Sequence, residues 1–353
     1  MAKLNVLVAG CTGYIGIQLI KLLINHKRVK IKYLCGNSSV GKKISFFDKS
    51  IKKKLPKITK FNKNKLKDVD LIFTALPNGE AQLISRNLNK NNVLIDLAAD
   101  FRLSAKDYLK WYKQKHKAQI NIKKSIYSLP ELNSKNLKKF QILSCPGCYP
   151  TSILLPLVPL VKKNMISLKN IIIDSKSGYS GAGRGVHKKY KNKNLFESLS
   201  AYGVGFHRHN SEIQNELNLA SNKKINFSFT PHLTPMFRGI LTTIYVDMNK
   251  NITQDKIYKT LINFYKNDYF IKIMSKNTYL STNDVINTNY CKISVCKSKY
   301  KNKLIILSSI DNLIKGGSGQ AIQNMNKKFN FPEKWDLYEN INNTFIFTNF
   351  MYV

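Results

Sequence analysis

Cys148 is the residue of this sequence best placed to act as a nucleophile. The apolar run at 140–143 predicts a short strand, and the segment from Tyr149 onward predicts a helix, with Pro150 suiting its first turn. Cys148 would then lie just ahead of a helix N-terminus, where unpaired amides and the positive dipole end stabilise a thiolate. The same amides could hold an oxyanion. We therefore interpret Cys148 as a catalytic cysteine.

Two plainer roles remain open for this cysteine. Cysteine is often only a small buried hydrophobic residue. Cys145 and Cys148 also form a CxxC pair, which occurs in redox sites and as half of a zinc site. No second CxxC or HxxxH in the sequence completes a zinc site, since Cys291 and Cys296 are five apart. We predict that the protein holds no metal.

A glycine-rich turn near the start of the sequence predicts a nucleotide site. An apolar strand over residues 4–9 leads into the turn, and a helical run begins at Ile17. The GxxGxxG spacing is a variant of the dinucleotide-binding fingerprint, in which the turn lets a pyrophosphate reach the helix N-terminus. We expect cofactor contacts from Gly10, Thr12, Gly13, Tyr14, Ile15 and Gly16.

The loop after the second predicted strand, at 30–35, indicates which nicotinamide cofactor binds. An NAD-specific site offers Asp or Glu at this point for the ribose hydroxyls. Residues 36–43 contain no acid, and Ser38, Ser39 and Lys42 suit a 2′-phosphate instead. We therefore predict NADPH/NADP as the cofactor.

The remaining elements predict two kinds of sheet. Strands at 68–76 and 92–97 alternate with helices, which implies a Rossmann-type, doubly wound parallel sheet whose carboxyl-end loops gather at one edge. Cys148 should join that edge. The second half of the chain is typical of an α+β domain with a mostly antiparallel sheet. It contains predicted strands at 170–176, 226–230, 239–247 and 304–309, a flexible loop at 177–185, a helix beginning within 206–213, and a last helix through Asn326.

The composition limits the class of protein. A length of 353 residues allows two domains. The six cysteines, without a secretory signal or an apolar run of about 18 residues, indicate a cytoplasmic protein with no membrane span. The formal net charge is +38, but the lysines are spread along the chain and accompany no nucleic-acid motif. We expect no nucleic-acid partner, although the charge should attract anionic small molecules.

The arginines are more informative than the lysines. Only six of the 58 basic Lys and Arg residues are arginines. They are expected where a planar fork is needed to bind a carboxylate or a phosphate, with a structural ion pair as the alternative. Four of them fall in the motifs described next: Arg102, Arg184, Arg208 and Arg238.

Nine motifs together resemble one family over nearly the whole chain. They are GCTGYIG at 10–16, ALPNG at 75–79, DLAADFRL at 96–103, YSLPELN at 127–133, PGCYPTS at 146–152, SGYSGAGRG at 177–185, HRHNSEI at 207–213, HLTPMFRG at 232–239 and DNLIKGGSGQAIQNMN at 311–326. The sequence is similar to the N-acetyl-γ-glutamyl-phosphate reductases, which belong to the aspartate-semialdehyde dehydrogenase-like group. The resemblance implies NADPH-dependent reduction of an acyl phosphate in arginine biosynthesis by a homodimer or homotetramer.

The resemblance also implies a domain division and residue roles. It implies an NADP-binding domain at 1–147, a catalytic and dimerisation domain at 148–317, and a C-terminal helix and tail at 318–353 that return to the nucleotide domain. Cys148 would form a thioester, and His209 would act as acid and base, with His207 and His232 as the other candidates. Candidate substrate contacts are Arg102, Arg184, Arg208, Arg238 and Glu212. Further cofactor contacts are expected at Leu76, Pro77, Ser180, Gly181 and Asn324.

Three positions depart from the family pattern without removing a group that the chemistry needs. Cys145 stands where the family usually has Asn, and Ser211 replaces a usual Pro. Pro156 should kink a helix that is usually continuous. Two alternative functions remain: a related acyl-phosphate reductase (an aspartate-semialdehyde dehydrogenase, or a lysine-pathway reductase with a carrier-linked substrate), and a basic nucleic-acid-binding Rossmann protein.

The missing acid in the loop at 36–43 generates a prediction about cofactor preference. We expect kcat/KM to be higher with NADPH than with NADH, because Ser38, Ser39 and Lys42 would bind the 2′-phosphate that NADH lacks. Steady-state kinetics with each cofactor measure the difference. Comparable kcat/KM values for the two cofactors would contradict the prediction.

Overall fold

Two seven-stranded sheets organise the chain. The structure is a computed structural model that describes residues 3–185 and 197–337. The predicted tail beyond residue 337 lies outside the described residues. Within the described ranges, no helix is both long and apolar enough to cross a lipid bilayer.

The first sheet is parallel throughout, as the alternation of strands and helices predicts. Its spatial order is β3-β2-β1-β4-β5-β7-β6, which places the glycine-rich turn after β1 beside the carboxyl ends of β4 and β5. The Rossmann-type prediction is confirmed. The strands are β1 Leu4–Ala9, β2 Val29–Cys35, β3 Ile58–Thr59, β4 Leu71–Thr74, β5 Val93–Asp96, β6 Ser125–Tyr127 and β7 Ile142–Ser144.

The glycine-rich turn can form only with glycine at two positions. Gly10 has φ +80°, and a Cβ there would lie 2.2 Å from the carbonyl oxygen of Ala75. A Cβ at Gly16 would lie 2.2 Å from the carbonyl oxygen of Gly10. The first helix therefore packs directly on the turn and begins at Tyr14, three residues earlier than predicted. The helices beside this sheet are α1 Tyr14–Leu23, α2 Glu80–Ser85, α3 Ala105–Tyr112, α4 Gln119–Ile122 and α5 Pro130–Asn133.

The second sheet is mixed and mostly antiparallel, in the order β12-β13-β14-β11-β8-β10-β9. Only β8 with β10 and β12 with β13 pair in parallel. The α+β prediction is confirmed. The strands are β8 Ile171–Gly178, β9 Ser200–Ala201, β10 Phe227–Thr234, β11 Ile240–Asp247, β12 Ile271–Ile273, β13 Cys291–Lys297 and β14 Lys303–Ile310.

Helix α6, Cys148–Lys162, packs on the second sheet and is buried from Tyr149 to Val161. Its leucines and isoleucines pack with those of β8, β11 and β14 in one core. The helix includes both Pro156 and Pro159 and continues past them to Lys162. The kink expected at Pro156 stays a prediction. Cys148 is the first residue of α6 rather than a residue ahead of it. The other helices of this half are α7 His209–Ser221 and α8 Gln254–Tyr265.

The last helix, α9 Gly319–Lys328, packs against elements of the first sheet. Ala321, Ile322 and Met325 pack in the core with residues of β1 and α1. The Asn326 side chain also hydrogen-bonds the buried His26 at 3.0 Å. A π-helical turn at Ile314–Ser318, called here the glycine turn, links β14 to this helix.

Candidate active site

The Cys148 thiol lies at the N-terminus of α6, where the two halves of the chain meet. It is the one cysteine of the six that is not buried. The glycine turn covers it closely, since a Cβ at Gly316 would lie 2.6 Å from the Cys148 Cβ. Only glycine at that position leaves room for the cysteine.

A buried carboxylate fixes the turn that carries Cys148. Glu212 of α7 accepts a hydrogen bond from the Gly147 amide at 3.0 Å through Oε2. The Tyr127 hydroxyl donates to the same oxygen at 3.3 Å, and Arg102 pairs with Oε1 at 2.9 Å. The Glu212 side chain has no exposed surface. Both Glu212 oxygens thus accept hydrogen bonds from protein donors, and the predicted contact of Glu212 with the substrate stays a prediction.

The His209 imidazole lies directly against the residue before Cys148. A Cβ at Gly147 would lie 2.3 Å from the His209 Nε2 atom, so glycine is required for the close approach. Nε2 is also 3.8 Å from Glu212 Oε1, and the ring packs edge-on against Tyr149. His209 is the first residue of α7. Its packing against Gly147 and Tyr149 directs the imidazole at the turn before Cys148.

The other two histidine candidates have different surroundings. His207 packs among Tyr149, Tyr202 and Phe229, and its Nδ1 accepts the His209 amide at 3.2 Å. His232 lies on β10 with Nδ1 3.2 Å from Asp174 Oδ1. Both therefore have structural partners, whereas His209 faces the cysteine turn.

Burial governs the protonation of the cysteine and the histidine. Desolvation raises the pKa of Cys148 to about 11, although nearby backbone amides and Arg102 act in the opposite direction. The amides at the helix N-terminus thus favour the thiolate, but desolvation has the larger effect on the pKa of Cys148. Desolvation, with Arg102 and Arg208, also holds the pKa of His209 well below its usual value. These directions favour a thiol at Cys148 and a neutral imidazole at His209 near neutral pH, and a neutral imidazole can act as a general base.

The four predicted arginines divide into two pairs. Arg102 is buried against Glu212, and Arg238 pairs with Asp311 at 3.3 Å, so both have the structural role. Arg184 stacks over the Tyr14 ring at 4.9 Å, and Arg208 stacks over the Tyr112 ring at 5.2 Å. These two are exposed and make no ion pair with the carboxylates of residues 3–185 and 197–337.

The turn at 10–16 fits a dinucleotide pyrophosphate. The N-terminus of α1 has no side-chain cap and no acidic residue in its first turn, so its amides and dipole can meet an anion. Tyr14 packs edge-on against Phe237. Ile15 lies under the glycine turn, because a Cβ at Gly317 would be 2.7 Å from its Cδ1.

The other predicted cofactor residues lie at varied depths. Ser38, Lys42, Pro77 and Gly181 are exposed, Leu76 is half-buried, and Ser39 is buried. Ser180 is buried and accepts a hydrogen bond from Asn312 at 2.9 Å. Asn324 is 0 % exposed, and its amide bonds Ser128 and Cys145. Its contact with a cofactor stays a prediction.

Sequence reasoning missed three residues of this site: Tyr127, Gly316 and Lys315. Tyr127 and Gly316 contact Glu212 and Cys148 as described above. Lys315 is completely buried. The repeated glycines at 316–319 were a usable signal of close packing, but nothing local in the sequence distinguishes Lys315 from the 51 other lysines.

Comparison with known proteins now identifies the class. Residues 5–140 match the family model described as "Semialdehyde dehydrogenase, NAD binding domain", and residues 148–312 match "Semialdehyde dehydrogenase, dimerisation domain". An aspartate semialdehyde dehydrogenase II from Vibrio cholerae, solved with ASA, superposes with a TM-score of 0.70 at 15% identity, over 94% of this chain and 99% of that one. The protein is thus of the semialdehyde dehydrogenase type, with a nicotinamide-binding domain and a dimerisation domain.

The chain belongs, more narrowly, to the N-acetyl-γ-glutamyl-phosphate reductase family. It is 43% identical to the reductase of Vesicomyosocius okutanii and 40% identical to that of Desulforamulus reducens, in each case over 92% of this chain and 95% of the relative. A probable chloroplastic reductase of Arabidopsis thaliana is 40% identical over 92% of this chain and 81% of its own length. The resemblance drawn from the nine motifs is confirmed.

The raised pKa of Cys148 generates a prediction about its alkylation. We expect the rate of modification by iodoacetamide to keep rising from pH 7 to pH 10, because only the thiolate reacts and the pKa is about 11. Mass spectrometry should locate the label on Cys148 alone, since the other cysteines are buried. The Cys148→Ser variant is the control. A rate that reaches its plateau below pH 8 would contradict the prediction.

Proposed function

We propose that the protein reduces N-acetyl-γ-glutamyl phosphate to N-acetylglutamate 5-semialdehyde with NADPH and releases phosphate. The observation that carries the proposal is the contact of the His209 imidazole with the Cys148 turn at a buried helix N-terminus. Membership in the reductase family supplies the substrate.

In the first step Cys148 attacks the acyl carbon. The neutral His209 imidazole accepts the thiol proton as the sulfur–carbon bond forms, which avoids a free thiolate in a partly desolvated site. The carbon–oxygen bond to the phosphoryl group then breaks, and phosphate leaves with the bonding pair. A thioester on Cys148 results. Amides at the start of α6 are suited to stabilise the oxyanion of this step.

In the second step the thioester becomes an aldehyde. A nicotinamide cofactor held by the turn at 10–16 would supply a hydride to the thioester carbonyl carbon. The His209 imidazolium gives the proton that it took in the first step to the oxygen of the resulting adduct, which makes a hemithioacetal. The carbon–sulfur bond of the hemithioacetal then breaks, with the proton of its hydroxyl passing through His209 to the sulfur. His209 is therefore neutral both at the start and at the end of the cycle.

Arg184 and Arg208 are the arginines that we assign to the two anionic groups of the substrate. Arg102 and Arg238 already pair with Glu212 and Asp311. Arg208 immediately precedes His209 and therefore suits a group close to the reacting carbon, whereas Arg184 stacks on Tyr14 of the cofactor turn. For the cofactor, we propose NADPH, with Ser38 and Lys42 exposed where a 2′-phosphate would lie.

We also propose that two copies pair through the outer face of the second sheet. This face, which points away from α6, carries Ile172 and Tyr245 with 51% and 43% of their surfaces exposed. The two residues lie side by side on β8 and β11, and Ile305 of β14 is the other neighbour of Tyr245. Exposed apolar side chains that lie side by side on a sheet face, here next to the Asp174–Lys176 ion pair, are typical of a subunit interface.

The mechanism predicts the effects of three substitutions on turnover. Cys148→Ser should abolish turnover and leave NADPH binding intact, because an alkoxide forms far less readily than a thiolate. His209→Asn should lower kcat by about 10²–10⁴-fold through the loss of proton transfer. His207→Asn should be milder. The reverse reaction, with the semialdehyde, phosphate and NADP⁺, provides the assay.

Cys145→Ser is the matched control, because Cys145 is buried against Asn324 and takes no part in the steps above. If it also abolished turnover, a redox role of the CxxC pair would be the better explanation. Faster turnover of β-aspartyl phosphate than of the N-acetylglutamyl substrate would assign the protein to the aspartate-semialdehyde dehydrogenase reaction.

The proposed subunit interface predicts the effect of a charge on the outer sheet face. Tyr245→Asp should shift the protein to a smaller species in size-exclusion chromatography with light scattering, because it buries a carboxylate between the copies. Ile262→Asp, on the exposed side of α8, is the control, since Ile262 is similarly exposed. An unchanged mass for Tyr245→Asp would place the interface elsewhere.

A further inference from the structure

A lysine that the mechanism does not use is completely buried beside the active site. The Lys315 ammonium lies 2.5 Å from Glu131 Oε1 and 2.9 Å from Gln323 Oε1. Gln323 also donates to the same Glu131 oxygen at 2.8 Å. Neither side chain of the ion pair has more than 1% of its surface exposed. A buried ammonium is costly unless it is paired and hydrogen-bonded, so a specific arrangement is being held here.

The lysine belongs to the glycine turn, and the next two residues of that turn contact the two halves of the active site. Gly316 packs on Cys148, and Gly317 packs on Ile15 of the cofactor turn. Both contacts are closer than any side chain would allow. A single turn therefore touches the nucleophile and the cofactor loop through consecutive residues.

The partner of the lysine comes from a different part of the chain. Glu131 lies on α5, beside the first sheet, 184 residues earlier in the sequence. Gln323, on α9, is held in turn by Asn289 at 3.0 Å and by Glu333 at 2.7 Å. Burial by itself would raise the pKa of Glu131, but Lys315 and Gln323 bring it below its usual value, so the carboxyl is ionised. The turn is thus tethered by a charge pair at its buried side.

We propose that Lys315 is a positioning residue, which through its ion pair with Glu131 holds the glycine turn against both Cys148 and the cofactor loop. The inference rests on the proposed function for its effect on turnover. The ion pair would fix the surroundings of the Cys148 thiol and of the loop at 10–16 whatever the substrate is.

The test is Lys315→Met, which keeps the length of the side chain and removes the tether. We expect kcat to fall by about 10²-fold, as small misplacements of reacting groups do, with a smaller change in the KM for the acyl phosphate. With the turn released from Cys148, iodoacetamide should modify the thiol several-fold faster at pH 8. The Kd of NADPH, measured by fluorescence, should rise.

A double variant separates positioning from stability. Lys315→Met alone leaves the Glu131 carboxylate buried without its partner, which should lower the Tm. Glu131→Gln combined with Lys315→Met removes both charges, so the Tm should recover while kcat stays low and Cys148 alkylation stays fast. If kcat and the alkylation rate recovered together with the Tm, the pair would serve folding alone and the proposal would be overturned.

Lys328→Met, on the helix that follows the glycine turn, is the matched control. The Lys328 ammonium donates to the carbonyls of Leu137, Lys138 and Phe140 at 2.6–3.0 Å and contacts neither Cys148 nor the cofactor loop. It should lower the Tm without changing kcat or the alkylation rate. If both Lys315 variants had the same Cys148 alkylation rate and the same Kd of NADPH as the wild type, the tether would be refuted. This holds even if no substrate were turned over. Absence of wild-type turnover would instead refute only the proposed reaction.

Discussion

The active site depends on one buried carboxylate. Glu212 contacts β6 through Tyr127 and the loop after β5 through Arg102. It also contacts the turn before α6 through Gly147 and the start of its own helix through His209. Its two oxygens accept hydrogen bonds from three donors of the first half of the chain, while Glu212 itself lies on the helix of the second half that begins with His209. The carboxylate therefore sets how closely His209 approaches the cysteine turn. Gly147 must lack a side chain because the His209 ring lies where its Cβ would be.

Two buried ion pairs lie on either side of Cys148, and each holds one segment of backbone in place. Arg102 with Glu212 fixes the backbone before the cysteine, and Lys315 with Glu131 fixes the turn that covers it. Each buried charge costs desolvation that its partner largely offsets, so such pairs contribute little net stability compared with apolar residues. Here the two pairs hold segments that are far apart in sequence in a single arrangement around Cys148. Small displacements of these segments would affect the reaction.

The sequence predicted the elements and the family much better than the partners of individual side chains. Strand β1, the turn at 10–16 and α1 follow from local hydrophobic pattern and glycine spacing, which act over a few residues. Arg102 and Glu212 are 110 residues apart, so no local pattern shows that they pair. The same holds for Asn324 with Ser128. The Cys148 thiolate was predicted from the helix terminus, but desolvation by packed neighbours is a tertiary property and outweighs it.

The return of α9 to the first sheet makes the nucleotide domain discontinuous. Val6, Ile20 and Leu23 pack in the same core as Ala321, Ile322 and Met325, which are made some three hundred residues later. During synthesis on a ribosome, the strands of this sheet emerge early but one face of their core stays open until nearly the whole chain has been made. Contacts of such long sequence separation slow folding and prolong the exposure of apolar surface. The nascent chain thus has its longest period of vulnerability in the part that emerges first.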